Sequence, residues 1–488
     1  MASIATRRRS PLSKAQRRQR RQRQTRKDRA VRRRLTQLHA QLPRPARALA
    51  EALGRAFTQP TALRFALLLF AALLTVGRHT VTNLLRTLGP LVPGDPSSYR
   101  RVFSRRRWSR WRLARLLAGW VVQRLVPDGP IWLAGDDTVE EHRGKRVYGK
   151  ARHRDPVRST HSYTAFRWGH KWVVLAVLVR FPFTRRRWAL PVLVALYRSE
   201  AEDRRRGCRH KTPPELLRQL LCVLLRWFPD RQFVCAADGN YATHDLARLA
   251  ARRPRRLTYL SHFYADANLY EPAPPAGGKK AAGRPRKKGA KLPCPAEVVK
   301  QARQRQRLNV AWYGGGRRDV EVVSGTGHWY QAGRPLVAVL WVWVHDCTGT
   351  HRDEYFFTTA GGWTAAQVIE TYTGRWNLET TFQEMRSHLG LETTRGWKER
   401  TVLRVAPCLF GLYTVVAGLY VQLPARRRLA GVLAWVGKQD VTFSDALTAV
   451  RRWRWVEWVF AIPGHGRAFS KLSRPFQQLL LAGLTPAA

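Results

Sequence analysis

Acidic residues are scarce in this chain of 488 residues. Asp and Glu together number 32 against 88 Lys and Arg, which gives a formal net charge of +56 and a pI near 11.6. A GC-rich genome would favour Arg over Lys but would not create this excess, and the first 34 residues hold only 15 of the basic side chains. So large a positive charge indicates a polyanionic partner, most simply nucleic acid.

Cysteine is also scarce, and the six cysteines show no CxxC or other paired spacing. This argues against a disulfide framework and predicts reduced cysteines in a cytoplasmic protein. The histidines show no zinc-ligand spacing with the cysteines, so the sequence predicts no zinc site. The histidines considered are His161, His170, His210 and His244.

Long apolar segments are few. The N-terminus is basic and no apolar segment follows closely, so we expect no secretory signal. The apolar run of residues 65–76 is too short to span a bilayer. Residues 405–423 carry no charge but include Pro407, Gly411 and Gly418, which favours a buried helix over a membrane span. We therefore expect no membrane partner.

The N-terminal part of the chain is strongly basic. Residues 1–47 are rich in Arg and Gln without apolar periodicity, which predicts a disordered or transiently helical polybasic arm. The pattern at 60–127 is helical, and we expect a DNA-binding domain there. Residues 97–108 mix basic and aromatic side chains, which suits phosphate contact and stacking, although a solvated helix face fits the same residues. The side chains expected to contact DNA are Arg100, Arg101, Arg105, Arg106 and Arg107.

Apolar strands and helices then alternate over residues 128–263. The order is three strands, a helix, a strand, a helix and a strand, which is the order expected of a ribonuclease-H-like core with a mixed sheet. Two of these strands lead into carboxylates, at Asp136-Asp137 and at Asp238. An Asp-Gly turn or a helix cap would explain Asp238 equally well when it is considered alone.

The regular pattern breaks at residues 264–360, which predict a β-rich insertion with a basic loop. The Gly-Arg-Pro sequence of this loop suits a narrow minor groove, where Arg284 and Arg286 would contact DNA, although a flexible basic loop fits as well. The core resumes at 361–400 with a helix that carries Glu379, and residues 401–488 are helical. The predicted fold class is thus α/β, with a ribonuclease-H-like core, an inserted β-rich subdomain and flanking N- and C-terminal helical regions.

One helical segment, residues 372–386, gathers chemically useful side chains on one face. At about 100° per residue, Tyr372, Arg375, Glu379 and Arg386 fall on the same stripe, whereas Glu384 points elsewhere. A phenol, a carboxylate and two guanidiniums on one stripe suit a metal and the phosphates on which it acts. An amphipathic surface helix with Arg375 to Glu379 pairing is the alternative.

The spacing Tyr-x2-Arg-x3-Glu-x6-basic resembles the signature of DDE transposases of bacterial insertion sequences, in the subgroup named for its Tyr-Arg-Glu-Lys motif. Trp376 and Leu378 match the aromatic and apolar positions of that signature. Arg386 departs from it, because the family usually has Lys there, and Arg does not replace Lys neutrally at a tight site.

This resemblance implies a catalytic triad of Asp137, Asp238 and Glu379 that holds two Mg²⁺ ions, with Mn²⁺ as a substitute. Asp137 is preferred because it precedes Thr138 as in family members. Asp136 remains the alternative, since a strand buried on both faces gives no parity clue. The side chains implied to contact the DNA ends are Tyr372, Arg375, Trp376 and Arg386.

The implied activity is cut-and-paste transposition by a synaptic homodimer in the bacterial cytoplasm, associated with the nucleoid. Water would cut the end phosphodiester, and the released 3′ hydroxyl would attack target DNA. Trp329 is a candidate for stacking on an extruded base if a hairpin forms. The rivals are a non-catalytic DNA-binding or architectural protein, including a decayed transposase, and a basic RNA-associated or membrane-surface protein.

Overall fold

Strands from both halves of the chain join in one mixed sheet. The computed structural model describes residues 13–155, 159–160, 162–274, 286–429, 432–462 and 464–486. The strands are β1 (Ile131–Glu141), β2 (Ala151–Arg154), β3 (Phe166–Val179), β4 (Trp188–Tyr197), β5 (Phe233–Ala237), β6 (Leu257–His262), β7 (Leu269–Tyr270), β8 (Gln306–Ala311), β9 (Arg317–Trp329), β10 (Val337–Asp346) and β11 (Glu354–Thr358).

Helices cover the sheet and form both ends of the described chain. They are α1 (Lys14–Ala40), α2 (Arg44–Gly54), α3 (Gln59–Leu74), α4 (Val81–Leu88), α5 (Pro96–Ser104), α6 (Arg110–Leu125), α7 (Glu200–Arg205), α8 (Pro213–Trp227), α9 (His244–Ala251), α10 (Pro295–Gln301), α11 (Ala365–Arg375), α12 (Asn377–His388), α13 (Glu399–Val421), α14 (Ala425–Arg428), α15 (Phe443–Arg454), α16 (His465–Ser470) and α17 (Arg474–Leu484).

Five strands form the centre of the sheet in the spatial order β4-β3-β1-β5-β6. β3 is antiparallel to both β4 and β1, whereas β1, β5 and β6 are mutually parallel. Three antiparallel strands followed by two parallel strands reached through helices is the ribonuclease-H-like arrangement, so that prediction is confirmed.

The central strands are buried because helices pack on the sheet. All five residues of β5 are buried. On β1, a Cβ at Gly135 would lie 2.9 Å from the Leu217 methyl groups of α8, so only glycine permits this close approach of helix and sheet. Helix α8 begins at a capping box formed by Thr212 and Glu215, with Pro213 at its first position, as the sequence predicts.

The β-rich insertion extends the same sheet. Strand β11 pairs antiparallel with β6, and β10 and β9 follow in order. Both β7 and β8 pair with β9, β8 with its first half and β7 with its last two residues. Of the predicted DNA-contacting residues in the basic loop, Arg284 lies outside the described residues, while Arg286 is exposed.

The N-terminal arm differs from the prediction of a disordered or transiently helical segment. Residues 14–40 form α1, which has Leu35 and Leu38 buried near its end. The Leu38 carbonyl accepts a hydrogen bond of 3.2 Å from the Trp458 indole, which joins the arm to the C-terminal region. Composition pointed to disorder because Arg and Gln dominate the segment, whereas a few leucines at helical spacing are enough to dock its end.

Helix α13 is the long apolar helix of the C-terminal region. It is long and apolar enough to cross a membrane by length and composition, but most of its apolar stretch is buried inside the protein. The Thr414 hydroxyl donates a 2.8 Å hydrogen bond to the Pro191 carbonyl of β4, which fixes the helix on the sheet. It is a buried core helix, as the sequence favours.

Candidate active site

Two neighbouring parallel strands place two carboxylates side by side. Gly135 of β1 is in register with Ala237 of β5, so the next residues along each strand are Asp136 and Asp238. The backbone N–H of Asp238 donates to the Gly135 carbonyl at 3.3 Å. Both aspartates therefore stand at the same edge of the core sheet.

A third carboxylate comes from the helical segment that the sequence singled out. Helix α11 ends at Arg375 and α12 begins at Asn377, so Arg375 and Glu379 are presented one turn apart. The Arg375 guanidinium lies 2.5 Å from Asp136, 3.3 Å from Asp238 and 3.2 Å from Glu379. Asp136, Asp238 and Glu379 thus surround one buried cation, and we call this group the acidic cluster.

The acidic cluster is short of positive charge. Burial raises the pKa of Asp136 to about 8, even though Arg375 lowers it, and the Asp238 carboxylate raises it further. Burial would lower the pKa of Arg375, but Asp136, Tyr372 and Asp238 outweigh burial and raise it. With Asp136 neutral near pH 7, the carboxylates of Asp238 and Glu379 against one guanidinium leave about one negative charge uncompensated, and ionisation of Asp136 raises this to about two.

The donor atoms of the acidic cluster suit a divalent cation. All three side chains offer carboxylate oxygens, the ligands that Mg²⁺ prefers, and two or three such groups suffice because Mg²⁺ keeps several waters. The cluster already gathers these oxygens around one positive centre in Arg375. The residues present therefore fit the metal that the resemblance implies.

Asp137, the residue preferred from the sequence, points away from the acidic cluster. Its carboxylate lies 3.0 Å from the Lys171 ammonium and accepts a 2.9 Å hydrogen bond from the buried Tyr241 hydroxyl. Successive side chains of a strand face opposite sides of the sheet, so only one of two adjacent aspartates can join the cluster. The structure thus brings Asp136, the alternative from the sequence, into the acidic cluster and not Asp137, and the catalytic role of either residue stays a prediction.

The other predicted contacts around the helix have different environments. Tyr372 is 1% exposed and stacks on Phe356 with ring centroids 4.3 Å apart, so its ring is part of the core rather than a surface for phosphate. Trp376 is half-buried. Arg386 donates to the Thr138 hydroxyl and lies 3.4 Å from Glu392. Among the predicted phosphate contacts, Arg386 lies beside β1, and its side chain is partly accessible.

Trp329 is not available for stacking on a base in this structure. It is 7% exposed and contacts the rings of Phe263, Phe357 and His244. Its abundance of aromatic neighbours makes it a core residue. By contrast, the predicted arginines of α5 and the loop after it are exposed: Arg100, Arg101, Arg105, Arg106 and Arg107.

A further basic surface was not identified from the sequence. A cleft of about 1080 Å³ lies where the β1–β2 loop, β3, α7 and the start of α13 meet, and eight Lys or Arg against three Glu line it. Its rim carries Trp168 and Trp397, which are 55% and 56% exposed. Lys150 lies 5.3 Å from the Trp168 ring, and Lys398 lies 5.1 Å from the Trp397 ring. We call it the Trp168 cleft, and only folding brings its segments together.

Arg375→Met is expected to destabilise the protein in EDTA by about 3 kcal/mol, because it leaves buried carboxyl groups without their cation. Mg²⁺ should restore much of this loss, since a divalent ion can replace the guanidinium. Thermal unfolding in EDTA and in Mg²⁺ measures both effects. Arg386→Met is the matched control, because Arg386 lies on the same helical segment but outside the acidic cluster. Equal Mg²⁺ responses of the two variants would contradict this account.

The core is ribonuclease-H-like, its central strands carry adjacent carboxylates, and a later helix adds a glutamate. These features define the class of nucleases and strand transferases that act on phosphodiesters. The comparison with known families agrees. Residues 52–319 match the family described as DDE superfamily endonuclease, and this range is more than half of the chain. The protein belongs to that family. The matched range includes Asp136 and Asp238, whereas Glu379 lies beyond it.

The remaining comparisons add little. No curated protein matches the chain. One similar solved structure is described as a cryo-EM structure of the piggyBac transposase synaptic complex with hairpin DNA. The two chains are 11% identical, the similarity covers 88% of this chain and 77% of that one, and the TM-score is 0.40. At that score the similarity carries no argument about function.

Proposed function

We propose that this protein is a DNA transposase that moves an insertion sequence by a cut-and-paste reaction. The observation that supports this most directly is the acidic cluster: Asp136, Asp238 and Glu379 meet around Arg375 in the core of a DDE superfamily endonuclease. The Tyr-Arg-Glu-basic spacing of residues 372–386 supports the narrower assignment to transposases of bacterial insertion sequences.

In this proposal the acidic cluster holds the metal ions. Mg²⁺ bound there would neutralise charge on the phosphoryl oxygens and activate the attacking hydroxyl. Asp136 and Asp238 would provide rigid oxygen ligands from adjacent strands, whereas Glu379 lies on a helix and is more exposed. Arg375 holds the three carboxylates together here, and a guanidinium displaced by bound ions would be available to a DNA phosphate.

The DNA would lie across two basic surfaces. The arginines of α5 and the following loop present exposed guanidiniums that suit phosphate contact. The Trp168 cleft adds exposed indoles beside cations, which suits unpaired bases or distorted duplex. Two copies would bring two element ends together in a synaptic dimer, in the bacterial cytoplasm.

The test is cleavage of DNA that carries the two flanking ends of the gene. We expect the wild-type protein to nick or cut at these ends in Mg²⁺ or Mn²⁺, and not in EDTA or on DNA with scrambled ends. The protein should bind both kinds of DNA, with natural or scrambled ends, in a strongly salt-dependent manner.

The alternative is a non-catalytic DNA-binding protein, such as a decayed transposase. Arg386 in place of Lys is the observation that favours it. Salt-sensitive binding with no cleavage in either metal would contradict the transposase proposal and support this alternative. Arg386→Lys would then be the first change to test for recovery of cleavage.

A further inference from the structure

A second group of potential metal ligands lies further along β1, on the same face as Asp136. Glu140 lies on β1, and His142 lies two residues later, in the turn after that strand. His170 on β3 is the direct partner of Glu140. Alternation along a strand and pairing across strands therefore bring the three side chains together. All three are buried, and their ligand atoms lie within 4.8 Å of one another.

One imidazole nitrogen of each histidine faces the Glu140 carboxylate without a well-formed hydrogen bond. The His142 Nε2 atom lies 3.2 Å from one Glu140 oxygen, and the His170 Nδ1 atom lies 3.7 Å from the other. Neither buried nitrogen makes a hydrogen bond. Two buried nitrogens that face a buried carboxylate without hydrogen bonds are the arrangement that a shared cation would satisfy.

The environment of His170 identifies which nitrogen is available. Its Nε2 atom lies 2.9 Å from the Tyr148 carbonyl, which can only accept, so Nε2 carries the proton. In the neutral imidazole the Nδ1 lone pair then faces Glu140. A histidine that donates one N–H to a carbonyl and points its other nitrogen at a common centre has the usual orientation of a metal ligand.

Glu140 is held in place by groups that leave it free to bind an ion. The Trp172 indole donates to one of its oxygens at 2.8 Å, and the Thr394 hydroxyl donates to the other at 3.2 Å. Each carboxylate oxygen accepts two hydrogen bonds or ligands, so one position remains on each. These donors are the kind of outer contacts that orient ligating carboxylates.

We propose that Glu140, His142 and His170 bind one divalent transition-metal ion, and that two imidazoles with one carboxylate select Zn²⁺ over Mg²⁺. Zinc ligands at about 2.0–2.1 Å from the ion lie roughly 3.3 Å apart in a tetrahedral site, close to the two separations above. Asp136 is four residues away along the strand, about 13 Å, so this site is separate from the acidic cluster. The proposal does not depend on the proposed nuclease function.

The position of this site suggests what the ion does. His142 lines the Trp168 cleft, so the site lies directly behind the wall of that cleft. His142 also begins the loop that carries Arg143, Lys145 and Lys150 along the cleft. An ion fixed to β1 and β3 would hold this basic loop in place. Sequence spacing did not reveal the site because one histidine lies in the turn after β1 and the other lies on β3.

The experiment is calorimetric titration of EDTA-treated, desalted full-length protein with Zn²⁺, in excess Mg²⁺ to occupy oxygen-ligand sites. We expect one equivalent of Zn²⁺ to bind the wild-type protein, and His142→Gln to weaken this binding by at least about 100-fold. His153→Gln is the matched control, because His153 is a buried histidine of β2 outside the group. Asp136→Asn should also bind Zn²⁺ like the wild type.

Three results would overturn the proposal: no Zn²⁺ binding by the wild type, equal binding by His142→Gln, or loss of binding in Asp136→Asn, which would place the zinc in the acidic cluster. If His142→Gln does not fold, X-ray absorption at the zinc edge of the wild-type protein decides. Two imidazole ligands support the site, and oxygen ligands alone overturn it.

Discussion

Asp136→Asn is expected to abolish DNA cleavage while DNA binding stays intact. The amide has the shape of the carboxyl group but cannot supply a charged ligand, and loss of about 4 kcal/mol of charge stabilisation at the phosphoryl group lowers the rate about a thousandfold. Folding should survive, because burial already raises the pKa of Asp136 to about 8 and a neutral group is tolerated there. Cleavage of end DNA and a binding assay measure the two properties.

Asp137→Asn is the matched control for Asp136→Asn. It removes the ion pair with Lys171 and weakens the hydrogen bond from Tyr241, both on the other face of the sheet. We expect the cleavage rate to stay within about tenfold of the wild type, since roughly 1 kcal/mol of local structure is lost. The reverse pattern, with Asp137→Asn inactive and Asp136→Asn active, would restore the residue that the sequence favoured.

Glu379→Ala is expected to have an equally large effect on cleavage, again about a thousandfold or more. The Glu379 carboxylate is the one member of the acidic cluster that comes from a helix, and it is joined to the others through Arg375. Because its side chain is 47% exposed, its removal should cost little stability. Loss of cleavage with an unchanged unfolding temperature is therefore the expected result.

Glu384→Ala provides the control on the same helix. The Glu384 carboxylate lies 3.1 Å from His388 on α12, outside the acidic cluster. We expect this variant to cut DNA at the wild-type rate. If both glutamate variants cut normally, the helix does not contribute to the site, and if both are inactive without a loss of folding, the helix-face argument is wrong.

The sequence was informative where a short segment determined the geometry. The order of strands and helices over 128–263 predicted the core, and the spacing of Arg375 and Glu379 placed both side chains on the face that meets the sheet. Asp238 comes directly after the buried strand β5 and is followed by Gly239. Each of these features depends on residues that are close in sequence.

The sequence was less informative where distant segments decide. Asp136 and Asp137 differ only in which face of β1 they occupy, and that face is set by the helix and strands that pack on it. Burial of Tyr372 depends on Phe356, and burial of Leu38 depends on Trp458. The Trp168 cleft and the group around Glu140 join segments more than 20 residues apart.

The most direct test of the central claim is the position of Mn²⁺ in crystals of the protein, located by its anomalous scattering. We expect a peak between the carboxylates of Asp136, Asp238 and Glu379, with the Arg375 guanidinium moved away from them. The peak should be absent from crystals of Asp136→Asn. A peak beside Asp137 instead, or no peak near Asp238 at a Mn²⁺ concentration that supports cleavage, would contradict the proposed catalytic cluster.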